Sequence, residues 1–164
     1  VDQCALSDDA FDAIADPGQL GALRTTGIDL NKPRMRAVLE AVVALSVLPN
    51  GFVASDVANK VREILDLSPS DYLSRHAAYD LRKLRGKQWL HRIGNSRRYQ
   101  ASPDGLQTMS ALVLLRDKII KPILAGAGKP RRGAKPKNAH PVDSLYREIE
   151  SLMRSLFLEL GFAF

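Results

Sequence analysis

From Pro33 onward the apolar residues Met35, Val38, Leu39, Val42, Val43 and Leu45 return every three or four positions, the spacing that gathers side chains on one side of an α-helix. Proline is tolerated at a first helical position, where its missing N–H would have had no partner, so a helix is predicted from Pro33 to about Leu48. Pro49-Asn50-Gly51 then reads as a turn. A second stripe, Val57, Val61, Ile64 and Leu65, predicts a helix capped by Ser55 with Asp56 in its first turn. Gly51-Phe52-Val53-Ala54 between them is too short for a helix and reads as a small strand or extended link. Ser68-Pro69-Ser70 marks the next break, and a third helix is predicted from about Ser70 to Arg85, closed by Gly86 in the left-handed conformation of a C-cap.

The periodicity changes after Gly86. Gln88 to Ile93 and Arg97 to Ala101 are short stretches flanking Gly94-Asn95-Ser96, a β-hairpin signal. Ser102-Pro103 opens a long apolar helix predicted to reach Leu124 with a bend near Pro122 and an end at Gly126 and Gly128. Near the N-terminus, Ser7 as cap, Asp8 and Asp9 in the first turn, and Phe11 and Ile14 as apolar contacts predict a short helix, stopped by Asp16-Pro17-Gly18. Lys129 to Lys137 (KPRRGAKPK) has five cations, two prolines and one glycine, hence no means of burying a core. Val142, Leu145, Ile149, Leu152, Leu156 and Leu160 recur at helical steps as a final amphipathic helix. The expected organisation is an N-terminal extension with a short helix (1–32), a helical domain with a hairpin (33–126), a basic flexible linker (127–140) and a C-terminal amphipathic helix (141–164).

Charge is unevenly spread over the 164 residues. Residues 1–69 hold 6 basic and 10 acidic side chains, residues 70–101 hold 8 and 2, and residues 102–164 hold 10 and 6, so the nets are −4, +6 and +4. A 32-residue segment carrying +6 concentrates a field that attracts a polyanion. Projected at about 100° per residue, its helix puts Leu73, Ala77, Leu81 and Leu84 in one stripe, with Arg75, Tyr79, Arg82, Lys83 and His76 on the opposite face. A helix of about 11 Å diameter fits the roughly 12 Å major groove of B-DNA, where arginine donates two hydrogen bonds to guanine. Arg75 and Arg82 are therefore candidate base-reading or phosphate-clamping residues, Tyr79 a candidate for a thymine methyl or a phosphate, and Ser74 a phosphate donor. Arg92 on the first hairpin strand, with Arg97 and Arg98 near its tip, would offer cations to the backbone or minor groove beside that helix. Cations on an outer helix face are also what a plain solvated surface carries, and Trp89, Leu90, Ile93 and Tyr99 would let the hairpin serve only to cover the core.

The stretch Ala77 to Gly105 (AAYDLRKLRGKQWLHRIGNSRRYQASPDG) resembles the recognition-helix and wing region of winged helix-turn-helix proteins, the MarR-like regulators of bacteria in general. More narrowly, it is similar to the C-terminal domain of a group of uncharacterised bacterial proteins. Their pattern is YDLRRLR, then Gly-Leu-Ile, then Arg-Tyr and a Thr-Pro-x-Gly turn. It is matched by Tyr79 to Arg85, Trp89-Leu90, Arg98-Tyr99 and Ser102 to Gly105, with Gln88-Trp89-Leu90 standing where the group has Gly-Leu-Ile. The likeness spans roughly Pro33 to Gly126. It implies a mainly α fold with a small β-hairpin wing, a winged helix-turn-helix, to which the helical patterns outside it add N- and C-terminal helical extensions. The scaffold says little of function, and it is the agreement of basic helix, hairpin and local charge that makes double-stranded DNA the expected partner.

The remaining expectations are exclusions and alternatives. His76, His91 and His140 share no metal-ligand spacing with Cys4 or a carboxylate pair, and there is no GxSxG motif, phosphate-binding glycine loop or acidic magnesium cluster, so neither an enzyme nor a metal or other cofactor is expected. One cysteine excludes an internal disulfide framework. Apolar runs such as Ala111 to Leu115 are far shorter than the roughly 20 residues that cross a bilayer, and no signal pattern opens the chain, so a cytoplasmic protein, nucleoid-associated if DNA-bound, is expected. An opening Val1 in place of Met suits a processed product or the C-terminal piece of a longer protein. The last helix has a heptad-like stripe equally suited to pack back on the domain or to form a homodimer seam. The competing readings are a protein-interaction or assembly module on a winged-helix scaffold, and an accessory domain of a mobile-element enzyme.

Overall fold

A computed structural model describes residues 11–121 and 141–159, in two compact units that divide between Val113 and Leu114. The described part is mainly helical. In the first unit β1 (Gly18–Leu20) and β2 (Leu23–Thr25) precede α1 (Pro33–Leu45), α2 (Ala54–Leu65) and α3 (Ser74–Gly86), followed by β3 (Leu90–Arg92), β4 (Tyr99–Ala101) and α4 (Pro103–Leu114). β3 and β4 pair antiparallel, with Leu90 opposite Ala101 and Arg92 opposite Tyr99, so the expected hairpin is present.

The helices form where the apolar periodicity demands, but several ends lie elsewhere. α1 opens with Pro33 at its first position, as predicted, and stops at Leu45, three residues short, where the Ser46 hydroxyl and N–H both turn back to the Val42 carbonyl. α2 is capped at Val53 rather than Ser55, because the Asp56 carboxylate reaches back to accept the Val53 N–H at 2.9 Å. α3 starts at Ser74 rather than near Ser70. Ser68 and Ser70 instead form a turn in which the Asp71 carboxylate accepts both the N–H and the hydroxyl of Ser68, at 3.0 and 2.8 Å. Ser102 does cap α4, accepting the Gly105 N–H at 3.1 Å. Beyond Leu114 the chain continues as a π-helical turn, Leu115–Ile120; Pro122 and the basic linker lie outside the described residues.

The inward stripes of α1, α2 and α3 meet in one core. Val38 and Val42, Val57 and Val61, and Leu81 and Leu84 are all fully buried, closed by Met109 and Leu112 of α4. Phe52 joins as an added edge to the hairpin. It exchanges backbone hydrogen bonds with Tyr99, at 3.0 and 2.7 Å, and the two rings stack 6.4 Å apart, tying the start of α2 to β4.

Residues ahead of Pro33 contribute to this core: of the two apolar contacts expected there Ile14 is buried and Phe11 is exposed, and Ile28 joins without a local signal. The Ile28 N–H donates to the Ile14 carbonyl. β1 and β2 make a second hairpin, with Leu20 opposite Leu23 and Gly21 at φ +60° in the two-residue loop. It packs on the C-terminal end of α3 through glycine on both sides. A Cβ on Gly18 would stand 2.6 Å from the Gly86 carbonyl carbon, and one on Gly86 would stand 2.2 Å from Thr25 Oγ1. Gly86 is therefore required by this close approach and not by a left-handed cap: it is the last helical residue, and the positive φ belongs to Gln88. In the second unit α5 (Pro141–Glu159) leaves Val142, Leu145, Ile149, Leu152 and Leu156 exposed; Leu160 lies outside the described residues. No described helix is long and apolar enough to cross a membrane.

Candidate nucleic-acid interface

α3 turns its two sides to different tasks. Ala77, Leu81 and Leu84 fill the core, while Ser74, Arg75, Tyr79 and Arg82 are exposed. Ser74 opens the helix, and about two turns of it present the other three along one side. Tyr79 is gripped by its neighbours: the Lys83 ammonium stands 5.0 Å and the Arg82 guanidinium carbon 6.0 Å from its ring centre. Such cation–π contacts hold the ring and both heads in a defined arrangement on the surface.

Two of the residues assigned by sequence to this face do other work. His76 is half-buried, its Nδ1 accepts the Leu73 N–H at 3.1 Å, and its ring lies against Tyr72 at 5.9 Å. It caps the helix, and the proton of the neutral ring is therefore on Nε2. Lys83 keeps only 15% of its side chain exposed and sits 3.8 Å from Asp80. A projection at about 100° per residue puts both at the margin of the polar sector, closer to the leucine stripe than Arg75 or Arg82. That margin is where side chains become half-buried.

Asp80, unremarked by sequence reasoning, is the electrostatic centre beneath this surface. It is fully buried, accepts from Arg34 Nη2 of α1 at 3.0 Å on Oδ1 and from the Tyr72 hydroxyl at 2.9 Å on Oδ2, and faces Lys83 from the same Oδ1. Burial, then the charge of Asp80, push the Tyr72 phenol far above its ordinary value, so this hydroxyl stays a donor. A buried carboxylate persists only with such partners, and they tie α1 and the α2–α3 turn to the centre of α3. A signal existed in the sequence: the projection that groups Leu73, Ala77, Leu81 and Leu84 puts Asp80 about 20° from Leu73, at the edge of the apolar stripe. Its partner Arg34 lies 46 residues away and carries no such mark.

The β3–β4 hairpin carries Arg92, Arg97 and Arg98, all exposed. Arg92 stands 5.8 Å from the Tyr99 ring centre. Arg98 donates to the Gly51 carbonyl at 3.1 Å, so it anchors the hairpin to the α1–α2 turn as well as adding charge. Arg97 lies in the connecting loop, where Gly94 takes φ +53° and the Ser96 hydroxyl closes the turn on the Ile93 carbonyl at 2.6 Å. β3 follows α3 directly, and the Trp89 N–H still donates to the Leu84 carbonyl, so hairpin and helix are joined by three residues of tight turn. Among the described residues no group of three or more His, Cys, Asp or Glu side chains is arranged to hold a metal ion. No protein-family model, curated protein or solved structure matches the chain.

Proposed function

We propose that the chain is a winged helix-turn-helix module that binds double-stranded DNA, with α3 as recognition helix and the β3–β4 hairpin as wing, serving a transcriptional regulator or the DNA-docking end of a larger protein. The observation that carries this reading is the outward set Arg75, Tyr79 and Arg82 on a helix whose other side is committed to the core, joined by a tight turn to a hairpin bearing three exposed arginines. An isolated amphipathic helix with surface arginines is ordinary; a helix and a hairpin that share one cationic segment form a two-point grip on a polyanion. Ser74 remains a phosphate donor in this reading. His76 and Lys83 act from the flank rather than as base readers.

The test is duplex binding by fluorescence anisotropy across a salt series, for the parent and for Arg75→Ala with Arg82→Ala. Parent affinity should fall steeply with salt, by about 0.9 in log–log slope for each phosphate neutralised. The double variant should bind at least tenfold more weakly, since each well-made arginine–base contact is worth about 1–3 kcal/mol, and should melt like the parent. Equal binding by the variant, or weak salt dependence, would favour the protein-interaction reading.

The exposed stripe of α5 supports a separate contact with a second copy. Its spacing assigns Val142, Ile149 and Leu156 to heptad position a and Leu145 and Leu152 to position d; β-branched a with leucine d, as in the two heptads begun by Val142 and Ile149, favours two parallel strands. A dimer would set two recognition helices on successive half-sites. Leu152→Asp should convert a dimer measured by light scattering to monomer; a monomeric parent at micromolar concentration refutes it.

A further inference from the structure

Arg34 and Lys83 converge on one oxygen. Arg34 Nη2 lies 3.0 Å and Lys83 Nζ 3.8 Å from the same Oδ1 of Asp80, so the two cations are no farther apart than those two distances laid end to end. One carboxylate compensates one of them, and among the described residues no second carboxylate pairs with either. A net positive charge is thus held at the margin of α3, by a scaffold the fold has already made rigid. Nor is it sealed in: Arg34 keeps 47% of its side chain exposed and, with one N–H bonded to Asp80, has four left to give. The site is continuous with the surface described above, because the Lys83 ammonium also stands 5.0 Å from the Tyr79 ring and Tyr79 is followed by Arg82 at 6.0 Å. Cations therefore run from the outer side of α3 to the N-terminal turn of α1.

We infer that Arg34 and Lys83, held together on Asp80, form a clamp for a backbone phosphodiester of the duplex, so that α1 grips the DNA alongside α3 and the hairpin. This rests on the DNA-binding reading; Lys83 is already a DNA-binding candidate from the sequence, and the addition is Arg34, which sequence reasoning did not assign, together with its convergence with Lys83 on one carboxylate. A guanidinium fixed at one edge by a carboxylate presents its other edge in a set orientation, which is the geometry that donates in parallel to two phosphate oxygens. Tetrahedral phosphate brings the second negative charge that the two cations lack. Asp80 acts through them as a positioning residue and does not touch the DNA.

The experiment compares duplex binding, across the same salt series, of the parent, Lys83→Met, Arg34→Gln with Asp80→Asn, and the control Arg75→Ala with Arg82→Ala. Lys83→Met keeps the buried stem, removes only the ammonium and leaves Asp80 paired with Arg34; the paired change removes a cation and its counter-charge together, and leaves Lys83 without its carboxylate. Lys83→Met should weaken binding three- to tenfold for all duplex sequences alike and lower the salt slope by about 1, with a melting temperature near the parent's; the paired variant, which keeps the site's net charge, should weaken binding by a similar factor with a smaller change in slope. If the paired variant does not fold, Lys83→Met decides alone. Unchanged affinity and slope in Lys83→Met, while the control loses binding, would overturn the clamp and leave the DNA reading standing. Unchanged binding in the control as well would remove both. Tight binding of inorganic phosphate that Lys83→Met abolishes without altering the duplex slope would also overturn the inference, by giving the site to a small anion.

Discussion

The docking of the N-terminal hairpin on α3 can be tested at a single hydrogen atom. Replacing Gly86 by alanine puts a methyl 2.2 Å from Thr25 Oγ1 and 3.2 Å from its Cγ2, well inside the distance at which real Cβ atoms are found. Thr25 is buried and β-branched, so two of its three staggered positions are filled and few rotations clear the methyl without pressing another atom into the core. Overpacking of this kind costs about 1–3 kcal/mol. The same change relieves the helix of a glycine, a gain of at most about 1 kcal/mol at the end of α3. The net expectation is a loss of about 1–2 kcal/mol, and each kcal/mol corresponds to a fall of about 4–8 °C in melting temperature for a unit of this size. Thr25→Ala removes both offending atoms and leaves Thr25 Cβ 3.3 Å from the new methyl, along with removing a buried hydroxyl that has no hydrogen-bond partner among the described residues. Gly86→Ala should therefore be tolerated in the Thr25→Ala background, a coupling of about 1–2 kcal/mol in a cycle of four urea or thermal melts. A Gly86→Ala protein as stable as its parent, or losses that simply add in the double variant, would refute the close approach.

Other outcomes follow from the core and the Asp80 network. Leu81→Ala empties a fully buried site of α3 and should cost about 2–5 kcal/mol in urea unfolding; a loss below 1 kcal/mol would mean the stripe does not face the core. Tyr72→Phe removes a donor to a buried carboxylate and should cost about 1.5–3 kcal/mol, whereas a neutral change would show that Asp80 does not depend on it. Because the folded state holds the Tyr72 phenol above its ordinary value of about 10, the unfolded chain loses that proton first as pH rises. The stabilising contribution is therefore complete below about pH 10 and declines above it. Thermal melts between pH 9 and 11 should show the parent losing stability faster than Tyr72→Phe; parallel curves would contradict the shift.

The local pattern carries a good deal of the architecture. Apolar residues at helical spacing, proline at an N-terminus, an Asp or Ser in position to cap and a Gly-Asn loop are interactions between residues a few positions apart, so the chain states them directly. That suffices for α1, α2, α3, the β3–β4 hairpin and the capped start of α4, and for the exposed side of α3 with Arg75, Tyr79 and Arg82. Cap positions slip by a few residues because competing side chains sit close together. At α2 Asp56 prevails over Ser55, and at α3 His76 takes the cap N–H while Asp71 holds Ser68 in the turn before it.

Tertiary structure decided what depends on partners distant in the chain. Gly86 looks like a helix terminator until Gly18 and Thr25, more than sixty residues earlier, are brought against it. Asp80 projects beside the leucine stripe, but only the fold brings Arg34 and Tyr72 around it; with them His76 moves from the free surface into the supporting framework and Lys83 is drawn to its margin. The reason is the same in each case. Periodicity reports which side of an element avoids water, but the desolvation of a charge or the contact of two backbones is set by whatever the fold delivers to that side.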